Sequence, residues 1–259
     1  MRPVHVDPKH ARAIARGHPW VYRQAIAEKP RALRNGDAVD LATDGRPFLG
    51  RGIYDAQSPV AVRVWTQRDD ERLDDELFAR RFREARLLRK ALAIPARTEA
   101  YRVVNAEGDR MPGVLVDRWG EWLTLTLQTP SLRPWRDKLV AALAEALPSR
   151  GIYVHDDDRC ALHHGEPAPE PLVVREPSCT VEVDPGSATK PGLFTDMREI
   201  RARLAPRLAK RRFLNLFAHT GAWSAAAAAA GAEAVMSVDL SGPYLDAAAR
   251  NVELSAPGY

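Results

Sequence analysis

The sequence predicts a protein of mixed class, α/β plus α+β, in one chain of 259 residues. Three observations carry this. Short alternating segments crowd the first ~70 residues, as in a small β-barrel. Helices and groups of strands then succeed one another in an α+β pattern. From residue 196 the order becomes strand, helix, strand, helix, the start of a parallel sheet with crossover helices.

The elements follow in order. "PKHARAIARGHPWVYRQAI" reads as a short helix and then an aromatic segment. "GDAVDLAT", "RPFLGRGIYD" and "VAVRVWTQ" read as strands parted by turn residues such as Asp44-Gly45 and Ser58-Pro59. Residues 69–93 read as one helix, with Leu73, Leu77, Phe82, Leu87 and Leu88 at helical spacing and an acidic start and basic end that suit the helix dipole. Strands at "YRVVN", "GVLVDRWG" and "WLTLTLQ" come next. A helix at "SLRPWRDKLVAALAEAL" and strands near "GIYVHD", "PLVVRE" and "CTVEVD" follow it. "HHGEPAPEP" is the most linker-like stretch. "DMREIRARLAPRLAK" is expected to be helical despite Pro206, "RFLNLF" and "EAVMSVDL" to be strands, and "AWSAAAAAAGA" a helix closed by Gly231. "SGPYLDAAARNVEL" is a last helix with Ser241 as its N-cap. The expected domains are 1–68, 69–180 and 181–259.

Composition narrows the class. A hydrophobic share of 45% and a charged share of 28% are those of an ordinary globular protein. No window approaches the ~18 uncharged apolar residues that span a bilayer. The N-terminal stretch lacks the apolar core of a signal peptide. Two cysteines, Cys160 and Cys179, make neither a metal clip nor a disulfide framework. A cytoplasmic location follows as the default, with no membrane partner; the oligomeric state is not legible. His163-His164 has no third ligand at zinc spacing, so no metal is expected.

The net charge of +4 is uneven. Residues 1–97 carry 20 basic and 13 acidic side chains, residues 98–180 carry 9 and 13, and residues 181–259 carry 9 and 8. A basic first segment points to a phosphate-bearing partner. Arginine outnumbers lysine 32 to 6, which suits fork-shaped recognition of phosphate and stacking on bases; genome base bias is the plain alternative.

"LNLFAHTGAWS" (214–224) is a strand that turns into a helix. In an open parallel sheet, ligands bind beyond the carboxyl ends of the strands. Gly221 lets the backbone approach a ligand, and the following helix presents free N–H groups. The second strand ends in Asp239, whose carboxylate can accept hydrogen bonds from both hydroxyls of a ribose. A dinucleotide would want three glycines to cradle its pyrophosphate, and this turn has one. The better fit is an adenosine ligand without phosphates, S-adenosylmethionine (SAM). The alternative is a purely structural turn with an incidental aspartate.

The chain resembles the bacterial large-subunit ribosomal RNA methyltransferases that modify cytosine at C5. The likeness covers nearly the whole chain, in order. It rests on "RGHPWVYRQAI" and "GRPFLGRGIYD", on "YRVVNAEGDRMPGVLVDRWGEWL", on "VDPGSATKPGLFTDMREIR" and on "FLNLFAHTGAWSAAAAAAGAEAVMSVDLS". The resemblance implies an N-terminal PUA-like RNA-binding domain (1–68), a middle α+β domain (69–180) and the N-terminal part of a Rossmann-like SAM methyltransferase domain (181–259). By position it implies that Asn215, Phe217, Thr220 and Gly221 form the SAM loop and that Asp239 binds the ribose. Lys190, Asp196 and Arg198 would line the pocket entrance. The family usually has Thr after that lysine and Gln between the Asp and the Arg, where this chain has Pro191 and Met197.

The resemblance also implies an Asp-Pro-Pro stretch that holds the base and a cysteine that attacks C6 of cytosine. Neither motif occurs, and the chain has 79 residues from Val181 against ~100–150 for a typical domain. The expectation is that the catalytic C-terminal part lies outside this chain. Cys160, in the acidic "DDDRC", and Cys179 are expected to be structural. A non-catalytic RNA-binding protein and an unrelated nucleotide-binding enzyme are the alternatives.

Arginines interleaved with aromatics in the first segment suit single-stranded or looped RNA. Arg16, Trp20, Arg23 and Arg51 are the expected RNA contacts, and large-subunit rRNA the implied partner. Trp20 and Trp65 would each also fit a barrel core.

Overall fold

The computed structural model describes residues 2–27, 33–157, 159–187 and 190–259. Arg31 of the basic segment, Asp158 of "DDDRC" and Ala188-Thr189 before Lys190 lie outside the described residues.

β1 (Arg2–His5) leads into α1 (Pro8–Ala15), whose N-cap Asp7 accepts the Lys9 amide at 3.0 Å. β2 (Trp20–Tyr22), β3 (Ala38–Thr43), β4 (Arg46–Tyr54) and β5 (Val60–Thr66) complete a sheet of order β1-β3-β4-β5-β2. A bridge between Val6 and Ile26 ties the ends of the two edge strands together. β1 was not foreseen: four residues from the chain start carry too little periodicity to read. Val4, Ile14, Val39, Leu41, Leu49 and Val62 fill the interior of this unit.

α2 (Asp75–Ala91) starts later than the expected 69–93 helix, because Asp74 caps it by accepting the Leu77 amide at 3.0 Å. Its inner face is Leu77, Phe78, Phe82 and Ala85. Leu87 and Leu88, expected on that face, are 61% and 49% exposed. A turn of ~3.6 residues carries positions 78, 82 and 85 inward and rotates 87 and 88 away.

β6 (Ala100–Asn105), β7 (Val114–Trp119) and β8 (Trp122–Leu127) form an antiparallel run. A 3-10 turn over Pro130–Trp135 then passes into α3 (Arg136–Ala146), which crosses over to β9 (Gly151–Asp156), parallel to β8. β10 (Arg159–Gly165) closes the sheet at order β10-β9-β8-β7-β6. It takes in His163 and His164, so the expected linker begins only after Gly165. Trp65 and Ile53 from the first sheet pack into the same core as Phe78, Val116, Leu125 and Leu143, so the boundary at 68/69 divides the chain but not the interior.

β11 (Leu172–Arg175) and β12 (Thr180–Val183) form a hairpin. α4 (Arg198–Leu204) stops short of the expected length: Pro206 lacks the amide a continuing helix needs, and a 3-10 turn over Ala205–Leu208 takes over. β13 (Arg212–Leu216), α5 (Ala222–Ala229), β14 (Ala234–Val238) and α6 (Gly242–Ser255) follow as expected, with β13 parallel to β14. Ser241 holds the N-cap position of α6, but its side chain makes no capping bond. The expected boundary at 180/181 falls inside β12. That strand docks on α6, where Ser255 Oγ accepts the Thr180 amide at 2.9 Å and Asn251 Oδ1 the Glu182 amide at 2.8 Å.

Candidate cofactor and RNA sites

The turn after β13 is built from unusual backbone. Phe217, His219 and Gly221 all lie in the left-handed region, at φ 56°, 50° and 75°. Two such residues without glycine's freedom in one turn are costly, and strain of this kind clusters at ligand sites. Gly221 serves a different purpose from the one expected. A Cβ there would stand 2.5 Å from Ala248 Cβ, so the glycine admits α6 against the turn rather than a ligand against the backbone.

The expected loop residues divide by exposure. Asn215 is buried and donates to Ser224 Oγ at 2.9 Å, and Ser224 in turn meets Ser237 Oγ at 2.7 Å. Thr220 is buried and its hydroxyl donates to the Gly192 carbonyl. These two hold the turn to α5 and to the segment before α4. Phe217 is 90% exposed.

Asp239 follows β14 at the carboxyl edge of the parallel pair. Its Oδ2 accepts the His219 amide at 2.8 Å and its Oδ1 the Ser241 amide at 3.0 Å. These backbone donors hold its pKa below the ordinary carboxylate range. Each oxygen keeps acceptor capacity beyond its one amide, as recognition of two neighbouring hydroxyls requires.

His219 was missed by sequence reasoning, and it sits at the centre of the site. Its ring packs at a tilt, 4.4 Å from Tyr244 and 5.3 Å from Phe194, joining the turn to α6 and to the entrance segment. Burial, helped by the nearby Lys190 charge and opposed by Asp239, holds its pKa below the usual histidine range. Its Nε2 is buried without a hydrogen-bond partner among the described residues. The available signal was position: a polar ring two residues before the turn glycine.

Lys190 lies 5.1 Å over the Tyr244 ring and so belongs to this cluster. Asp196 and Arg198 do not. They line an adjoining cleft of about 920 Å³ between the β6–β9 sheet and residues 191–198, which meets the cluster at Phe194. Arg198 turns back to the middle sheet, donating to the Glu199 carboxylate at 3.3 Å and the Ala100 carbonyl at 3.4 Å.

The expected RNA contacts also divide. Arg16 is exposed. Trp20 is 37% exposed and packs edge-on to Tyr22, itself 41% exposed, while its indole N–H donates to Glu107 at 2.8 Å. Trp65 fills the core instead. Arg23 is half-buried and donates to the carbonyls of Asp55 and Ser58 at 2.6 and 2.7 Å. Arg51 is buried, paired with Asp40 at 2.7 Å and bonded to the Glu71 carbonyl. The expectation that Arg51 reaches RNA is therefore corrected: its fork is consumed in holding β3, β4 and the approach to α2 together.

Both thiols are suppressed. Burial, with Asp184 adding to it, pushes Cys160 up to about 11, and burial with Glu176 pushes Cys179 up to about 11. Neither is an activated nucleophile. Among the described residues no helix is long and apolar enough to cross a membrane, and no group of three or more His, Cys, Asp or Glu could hold a metal.

Known proteins share this architecture. Residues 4–67 match the profile of the PUA-like domain, and residues 136–256 that of the S-adenosylmethionine-dependent methyltransferase. The chain is 34% identical over 262 residues to ribosomal RNA large subunit methyltransferase I of Alteromonas mediterranea, covering 97% of this chain and 66% of that protein. It is 34% identical over 264 residues to the protein of the same name from Shewanella amazonensis, with the same coverage. A solved structure from Streptococcus mutans, assigned as a SAM-dependent methyltransferase, superposes with a TM-score of 0.87 at 27% identity over 98% of this chain and 68% of that one. A methyltransferase structure complexed with SAH gives 0.88 at 26%, over 98% and 67%. The chain thus spans about 66% of the length of the curated relatives it matches, and it joins a PUA-like domain to a SAM methyltransferase fold.

Proposed function

We propose that this chain is the RNA-binding and cofactor-holding part of a SAM-dependent methyltransferase of large-subunit ribosomal RNA, acting at cytosine C5. The observation that carries the cofactor reading is Asp239: an ionised carboxylate at the carboxyl edge of β14, fixed by two amides beside a strained turn. A ribose would bind Asp239, with Phe217 and the His219–Tyr244 cluster beside the rest of the adenosine. Lys190 would stand at the entrance. SAM would supply an electrophilic methyl group. The chain's own residues orient the donor and, through the PUA-like domain with Arg16 and Trp20, the RNA. The 34% identity to proteins named as large-subunit rRNA methyltransferases supports the substrate class.

The test is calorimetric titration of the chain with SAM and with SAH. Micromolar binding that Asp239→Ala weakens at least tenfold is expected. Equal affinity in Asp239→Ala would remove the cofactor reading. The C5 assignment is tested on relatives' rRNA by locating the methyl group by mass spectrometry; a methyl group on the ribose or on N4 would overturn it. A second reading, RNA binding without catalysis, is favoured by the two suppressed thiols. Methyl transfer to rRNA by this chain alone would exclude it.

A further inference from the structure

The middle sheet has two unlike faces. One packs against α2 and α3 with Val114, Val116, Leu123 and Leu125. The other is polar. Arg102 on β6 pairs with Asp117 on β7 at 2.7 and 3.0 Å, and Asp117 stands in register with Thr124 on β8. Thr126 lies one pleat away, in register with His155 on β9. In an open sheet such a face would simply meet water. Here it is the floor of the cleft of about 920 Å³, which Leu115 and Trp119 also line, and the walls set apolar side chains among the charged Arg89, Asp196 and Arg198. Leu88 and Leu92 at the end of α2, 49% and 57% exposed, stand on one side. Phe194, 52% exposed, stands on the other.

Polar groups at the centre of the floor, with exposed apolar side chains beside them on the walls, complement a nucleobase, which has hydrogen-bonding edges and apolar faces. The volume falls in the range of sites that take small organic groups. The cleft is also placed for the reaction. The Phe194 ring is 5.3 Å from the His219 ring, so one wall of the cleft is in contact with the turn that precedes Asp239.

From this placement we infer that the cleft takes an unpaired nucleotide of the RNA strand, with its base stacked on Phe194 and its polar edge toward Arg102, Asp117 and Thr126. The inference rests on the rRNA reading above and adds where the strand passes on its way from the PUA-like domain to the cofactor turn. It also explains two features that packing does not: apolar leucines left exposed on α2, and Asp196 and Arg198 facing this cleft rather than the cofactor turn.

The experiment uses the full chain and a short single-stranded RNA carrying 4-thiouridine. Binding is measured by fluorescence anisotropy, and photo-crosslinked peptides are identified by mass spectrometry. Phe194→Ala is expected to weaken RNA binding about tenfold, the loss of one stacked base. Leu88→Glu, on the exposed rim, should weaken it as well through repulsion of phosphate, and Leu88→Lys should not. Crosslinks should fall in residues 100–126 or 191–198, and SAM affinity should be unchanged in both Leu88 variants. If RNA binds with crosslinks confined to residues 4–67 and all three variants bind equally, the cleft is not the seat, although the RNA reading stands. If the unaltered chain binds SAM but retains no RNA, the inference and the rRNA substrate fail together and the cofactor reading survives.

Discussion

Arg201 and Glu176 form an ion pair sealed inside the protein, with Arg201 Nη2 2.6 Å from Glu176 Oε2 and both side chains essentially without solvent contact. The same guanidinium nitrogen donates to the Phe194 carbonyl at 3.1 Å. One arginine on α4 thereby fixes the β11–β12 hairpin and the segment that carries Phe194 to the turn after β13.

Removing either partner leaves the other buried, but the two losses differ. A lone Arg201 cannot shed its charge, so Glu176→Gln should destabilise by about 3–5 kcal/mol. A lone Glu176 can take a proton, and burial already holds its pKa above the ordinary carboxylate range. Arg201→Met should therefore cost less, and its cost should depend on pH. A carboxyl raised in the folded state stabilises fully below its unfolded value, and that contribution is lost as pH rises through the folded value. The Arg201→Met deficit should accordingly grow from about pH 4.5 to neutrality. Thermal melts of both variants across that range check the order and the slope.

Gly221→Ala should damage the turn twice over. The new methyl group meets Ala248 at 2.5 Å, and alanine resists a φ of 75°. A loss of about 1–3 kcal/mol with SAM binding abolished is expected. Adding Ala248→Gly should restore part of the stability by relieving the contact, while the backbone strain remains. Unchanged melting of the single variant would show that α6 does not sit where the structure puts it.

Neither Cys160 nor Cys179 should react readily in the folded chain. With both thiols held at about 11, alkylation by iodoacetamide near neutrality should be slow, and denaturant should release both. Rapid modification of either in the native protein, read by intact mass, would contradict the raised thiol values.

SAM affinity should be nearly flat between about pH 6.5 and 8. Asp239 titrates below the ordinary carboxylate range and stays charged across that interval, and His219, lowered by burial, is mainly neutral there. His219 stays neutral until the pH falls through its depressed folded value, and affinity should decline only there. Calorimetry in buffers matched for ionic strength makes the comparison. A steep change near pH 7 would mean that another group governs the site.

Much of this protein was legible in the chain because local rules act locally. The alternating strands of the first unit, the helix after Asp74, and the order β13, α5, β14, α6 all follow from periodicity and turn chemistry. The place of Asp239 beside the turn was readable because it directly follows a strand in a parallel pair. Tertiary structure decided what each side chain was free to do. Arg51 and Trp20 lie in the same arginine- and aromatic-rich segment, yet one is consumed by Asp40 and the other reaches the surface. Gly221 accommodates Ala248, from a helix that begins 21 residues later, rather than a ligand. His219 gained its role only when Phe194 and Tyr244 arrived from either side. Sequence determines which backbone each residue adopts, because hydrogen bonds and φ preferences are set within a few residues; contact between distant side chains depends on packing that no local window contains.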